Sequence, residues 1–143
     1  MPQLPDSLAK IVQRFAHQTN NKLRYEQLLW YAKKLPEFPS EAKLPENQVP
    51  GCVSQVYITC QLQGEKVYFQ GDSDSQLVKG LLGLLITGLN GLTIGEILEV
   101  SPEFIKDTGL NVSLTPSRAN GFYNIFQAMR KQALLYQNSN SKQ

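Results

Sequence analysis

The chain has 143 residues, 41% hydrophobic and 18% charged, enough to bury one compact core of its own. Its net charge of +2 comes from lysines and arginines spread along the sequence, which leaves no electrostatic footprint for nucleic acid. Two cysteines are too few for a disulfide framework, and Met1-Pro2-Gln3-Leu4-Pro5-Asp6 lacks the basic and apolar runs of a signal peptide, so a reducing, cytoplasmic setting is expected.

The spacing of Leu8, Ile11, Val12, Phe15 and Ala16 predicts a first helix, capped by Asp6 or Ser7 and ending near Thr19-Asn20-Asn21. A second helix is expected with Leu23, Leu28, Leu29, Ala32 and Leu35 on its inner side and Pro36 ending it, which makes an N-terminal helical hairpin. Residues 36–50 carry four prolines and three glutamates, and read as a loop without regular structure that delivers the chain to Cys52. Beyond it Val56, Ile58, Cys60 and Leu62 alternate with Tyr57, Thr59 and Gln61, the period of a strand with one face inward. Gln63-Gly64-Glu65 then turns the chain into a second strand, Lys66 to Gln70, antiparallel to the first.

Gly71-Asp72-Ser73-Asp74-Ser75 offers caps to a helix that is apolar nearly all round, from Leu77 through Leu81, Leu82, Leu84 and Leu85 to Ile86. This should be the most buried element. Its glycines at 80, 83 and 88 suit close helix packing, since no Gly-x-Gly-x-x-Gly or Walker pattern follows a strand. The longest apolar stretch, Leu81 to Ile94, is interrupted by glycine and asparagine and falls short of the ~20 residues of a membrane helix, so no membrane span is expected. Thr93 and Ser101 each precede a short helical segment, the second running from Pro102 to Asp107 with Gly109 past its end. Thr115-Pro116-Ser117-Arg118 opens a long helix with Phe122, Ile125, Phe126, Met129 and Ala133 inward, and residues 137–143 read as a polar tail. Helices, then a hairpin, then helices imply a single α+β domain over residues 1–136, with helices packed on a small antiparallel sheet.

Metal binding would need clustered Cys, His, Asp or Glu, and the chain offers one histidine, His17, set off the apolar stripe of its helix, and two cysteines well apart. No metal and no cofactor of its own is expected. Asp72 and Asp74 look like a carboxylate pair, but they directly precede a helix, where capping accounts for them. Thiol chemistry survives this elimination, because a thiolate attacks sulfur in another molecule without a metal, a nucleotide or a base from its own chain. Cys52 follows Val49-Pro50-Gly51 at the mouth of a strand, where proline and glycine make a bend; composition alone leaves it either an exposed reactive thiol or an inert structural one. Cys60, on the apolar face of its strand, reads as structural.

Gly51-Cys52-Val53-Ser54-Gln55-Val56, then Gln70-Gly71-Asp72-Ser73-Asp74 with Val78-Lys79-Gly80-Leu81, then Leu114-Thr115-Pro116-Ser117-Arg118 with Gly121, resemble the SufE family in order and over nearly the whole chain. The resemblance implies an α+β fold like that of IscU-type scaffold proteins and a sulfur carrier, not an enzyme in its own right. Cys52 would receive sulfur from the persulfide of a SufS-like cysteine desulfurase, which holds the pyridoxal phosphate, stimulate that enzyme, and pass the sulfur to a SufBCD-type iron-sulfur scaffold. The alternative is a scaffold or regulator of a desulfurase or nascent cluster that accepts no sulfur. A Cys52–Cys60 redox pair ranks last. Arg118 matches the family's Thr-Pro-Ser-Arg motif and is either a charge that lowers the thiol pKa or a plain surface arginine. Asp74 matches the Gly-Asp-Ser-Asp motif and either positions the Cys52 loop or partner or simply caps the helix. Tyr57 stands where many members have tryptophan, and both a monomer and a homodimer fit the sequence. A loaded sulfur should be able to turn inward between the hairpin and the apolar helix, away from reductants and oxidants.

Overall fold

The computed structural model describes residues 4–141, over which the chain runs α1 (Asp6–His17), α2 (Asn21–Lys34), β1 (Val56–Gln63), β2 (Lys66–Ser73), α3 (Gln76–Leu89), α4 (Ile94–Glu99), α5 (Phe104–Asp107), α6 (Leu110–Ser113) and α7 (Pro116–Ser141). It is an α+β fold: helices packed on one two-stranded antiparallel sheet.

Helix α3 is the axis, because its apolar residues run round almost its whole circumference and every neighbour can bury against it. Helix α2 lies across one side, close enough that a Cβ on Gly80 would meet the Leu28 carbonyl and one on Gly83 the Tyr31 carbonyl. Helix α1 presents Leu8, Ile11, Val12 and Phe15 to the same core, each such side chain contributing about 1.5–3 kcal/mol of burial. On the other side, Val56 and Ile58 of β1 and Val67, Phe69 and Gly71 of β2 share the inward face of the hairpin, as the register Ile58↔Gly71 and Cys60↔Phe69 requires. Helix α7 closes the core with Phe122, Ile125, Phe126, Met129 and Ala133, all fully buried as their spacing implied.

A two-stranded hairpin alone is marginal, and both of its edges are covered here. Along β2, the Val67 N–H donates to the Leu92 carbonyl at 2.8 Å and the Phe69 N–H to Asn90 Oδ1 at 2.8 Å. Along β1, Gln48 bridges Tyr57, and Gln132 of α7 donates to the Ile58 carbonyl at 2.9 Å.

Several local expectations change. Ala16 is exposed, and Ser7 caps nothing: it stands in the first turn of α1 and its hydroxyl donates to the Gly88 carbonyl at 2.9 Å. Leu23 and Leu29 face solvent while Tyr31 is buried, because α2 meets α3 along the line through Leu28 and Tyr31 that the two glycines open. The loop expected to be irregular contains two single 3-10 turns, Ser40–Ala42 and Pro45–Asn47. Strand β2 extends to Ser73, so Asp72 belongs to the ladder, and Ser75 is the residue that caps α3, accepting from the Val78 N–H. Helix α6 is an addition to the expected elements; the buried Thr108 and the left-handed Gly109 start it. Helix α7 continues through Ser141 into the stretch read as a tail, of which Lys142 and Gln143 lie outside the described residues.

Candidate functional site

The Val49 N–H donates to the Val56 carbonyl at 2.8 Å, which pinches the chain into a narrow loop with Cys52 near its tip. Gly51 takes φ 80°, a left-handed conformation that costs other residues about 1–2 kcal/mol, and so turns the chain toward α7. Two side chains from elsewhere in the fold tie this loop down. Asn124 of α7 donates its Nδ2 to the Gly51 carbonyl at 3.0 Å, and Asp74 accepts the Gln55 N–H on Oδ1 at 3.0 Å. The Asp74 N–H returns a bond to the Gln55 carbonyl at 3.3 Å.

Between these anchors the Cys52 side chain is half-buried, its Sγ 3.9 Å from the Gly121 carbonyl and the same distance from where a Cβ on Gly121 would stand. Bare helix backbone thus forms the seat for the sulfur. The unloaded thiol thus rests against α7, just after the left-handed turn at Gly51. Val53, one residue on, is 90% exposed. Burial pushes the Cys52 thiol above its ordinary pKa, and no charge offsets it. The seated thiol is therefore protonated at neutral pH and half-covered where it rests on α7.

Cys60 is also free, partly buried opposite Phe69 in the ladder, its thiol pushed up to about 11 by burial. One cysteine sits at a loop tip on α7 and the other within the sheet, as two separate thiols and not a joined pair. Arg118 lies in the first turn of α7, one turn before Gly121, with its side chain exposed and no ion pair among the described residues. Burial is the cause of the upward shift of the Cys52 thiol in this arrangement. Asp74 is exposed and bonds to the loop through Gln55; the cap of α3 is Ser75.

Three residues have roles here that the sequence did not reveal. Asn124 supplies one anchor of the loop, and its only sequence signal is its place one turn beyond Gly121 on the same helix. Val53 lies within the Cys52 motif, but nothing in its residue type marks it as the exposed tip. Asp72 accepts from both Lys43 and Lys79, each at 3.3 Å, tying the 36–50 segment to α3 beside the loop. Burial raises the Asp72 carboxyl, but bonds from Lys43, the Ser73 backbone and Lys79 outweigh it and hold the group below its usual pKa. Among the described residues no group of three or more His, Cys, Asp or Glu is placed to hold a metal, and no helix is long and apolar enough to cross a membrane.

Residues 9–133 match the SufE family, described as an Fe-S metabolism associated domain. An uncharacterized SufE-like protein of Synechocystis is 63% identical over 134 residues, covering 94% of this chain and 84% of that protein. SufE-like protein 1, chloroplastic/mitochondrial, of Arabidopsis thaliana is 44% identical, over 92% of this chain and 36% of its own length. The Plasmodium falciparum cysteine desulfuration protein SufE is 35% identical, over 89% of this chain and 53% of its own length. The solution structure of a hypothetical protein from Thermus thermophilus superposes with a TM-score of 0.79 at 28% identity, covering 92% of this chain and 96% of that one. A matched domain that takes in the Cys52 loop, both of its anchors and the α7 seat places this chain in the SufE family, associated with Fe-S metabolism.

Proposed function

We propose that this protein is a sulfur acceptor, which takes persulfide sulfur from a cysteine desulfurase onto Cys52 and delivers it for iron-sulfur cluster assembly. The observation that carries the reading is the loop: a free thiol on a narrow, two-anchored projection, with an almost fully exposed Val53 beside it, is built to enter another protein's site. The name of the Plasmodium relative, a cysteine desulfuration protein, supports the same direction.

The transfer balances without a cofactor on this chain. The Cys52 thiolate forms a bond to the outer sulfur of the donor persulfide, the donor S–S bond breaks, and its electron pair leaves on the donor cysteine, which takes the proton that Cys52 gave up. Cys52 then carries the persulfide. Removing sulfur from the desulfurase frees that enzyme's cysteine for another turnover, which is how the acceptor stimulates it; a SufBCD-type scaffold would receive the cargo. Pyridoxal phosphate belongs to the desulfurase, and this chain acts as its accessory protein in a reducing compartment, cytoplasmic in this reading. Seating against Gly121 shields the sulfur between donor and recipient, and presentation requires the loop to open.

Intact mass measured before and after reductant, on protein incubated with a cysteine desulfurase and free cysteine, tests the reading. Wild type and Cys60→Ser should gain one reducible sulfur and Cys52→Ser none. A desulfurase that speeds up equally with Cys52→Ser, with no sulfur gained by wild type, would establish the non-transferring scaffold or regulator in its place.

A further inference from the structure

We propose that Asn124 is a positioning residue for the thiol, a latch on α7 whose amide holds the Cys52 loop seated and sets how often the sulfur is presented. Three observations on different atoms converge on it. The Asn124 Nδ2 donates to the carbonyl of Gly51, the residue immediately before Cys52, at 3.0 Å and across 73 positions of sequence. Gly51 is left-handed, and a Cβ there would stand 2.9 Å from Asn124 Nδ2, so a side chain at this position would push the amide aside. Gly121, one turn earlier on the same helix, provides the seat that Sγ occupies, so latch and seat move as one rigid piece.

The loop is otherwise held at its base by the Val49–Val56 bond and at its far end by Asp74, which leaves residues 50–54 between those pins once the Asn124 bond opens. Releasing the Asn124 bond lets the thiol swing out at the expense of its own contacts at the edge of the core, because Gly51 and Val53 on either side of it are exposed. The latch is a solvent-facing neutral hydrogen bond, so its loss should shift the closed-to-open ratio about two- to fivefold. A stronger latch would hold the sulfur back from its donor and a weaker one would leave it unshielded.

The inference rests on the sulfur-acceptor reading for its purpose, but its test uses no desulfurase. Iodoacetamide alkylation of Cys52 is followed by intact mass from pH 7 to 10 in a Cys60→Ser background, comparing Asn124, Asn124→Ala and Asn124→Leu. Leu keeps the branched shape and size of the side chain and loses the donor without adding a charge, so both variants should alkylate about two- to fivefold faster at pH 7.5, with the rate rising at lower pH than in wild type. Unchanged rates and pH profiles in both would overturn the latch. A faster rate in Asn124→Ala alone would overturn it too, since the donor would then not matter. If wild type fails to gain sulfur from a desulfurase, the acceptor reading falls while the alkylation result stands.

Discussion

Replacing Gly80 by alanine should destabilise this protein, although glycine to alanine inside a helix ordinarily stabilises. The gain from helix propensity is about 1 kcal/mol. Against it, the new Cβ would stand 2.7 Å from the Leu28 carbonyl carbon and 2.9 Å from the Leu28 Cβ, and closer still to the carbonyl oxygen, where ordinary contact begins at 3.4 Å. The neighbour is helix backbone, so no side-chain rotation relieves the clash and α2 has to retreat from α3 by roughly 1 Å, which forfeits a quarter to a half of the dispersion energy along the contact. Overpacking of this kind costs about 3 kcal/mol at the upper end of its usual range, leaving a net loss of about 2 kcal/mol. For a chain of this size that is a drop in Tm of about 6–8 °C, read by circular dichroism with a urea melt alongside. Gly95→Ala is the control: the nearest atom to its Cβ would be Thr93 Oγ1 at 4.0 Å, so the propensity gain should stand and Tm should rise. A Gly80→Ala protein that melts at or above wild type, or a Gly95→Ala protein that falls as far, would refute the close-approach reasoning.

Asp74→Ala should raise the Cys52 alkylation rate about fivefold, because the Gln55 N–H loses a charged acceptor, whereas Asp74→Asn keeps the oxygen and should change it less; equal effects would show that charge and not the bond holds the loop. Burial holds the Cys52 thiol above its ordinary 9.0, so the wild-type alkylation rate should still be climbing past pH 9, and a plateau below that would contradict a seated thiol. For Cys60 the folded pKa is raised from 9.0 to about 11, so the fold binds the proton more tightly than the unfolded chain, and this stability is complete below pH 9 and lost on rising toward 11. Urea midpoints should therefore fall more steeply over that window in wild type than in Cys60→Ala, and parallel slopes would count against a buried Cys60.

Sequence by itself was enough for the order of the longer elements, the apolar faces of α1 and α7, the inward set of the hairpin and the bend that carries Cys52, because each follows from chemistry confined to a few neighbouring residues: a period, a cap, a proline before a glycine. Leu23 and Leu29 depart from expectation because the buried side of α2 is chosen by Gly80 and Gly83 on another helix, not by α2 itself. The short α6 and the extension of β2 to Ser73 likewise depend on partners reached only through the fold. At the site the division is sharper. The motif around Cys52 singled out one of two thiols, but only tertiary structure decided where that thiol rests. A left-handed Gly51, an amide from position 124, a carboxylate from position 74 and the bare backbone of Gly121 come from three separate stretches of chain. Hydrogen bonds between groups 19 and 73 residues apart leave no period or spacing in the sequence, since their geometry exists only once the core has brought the hairpin against α7.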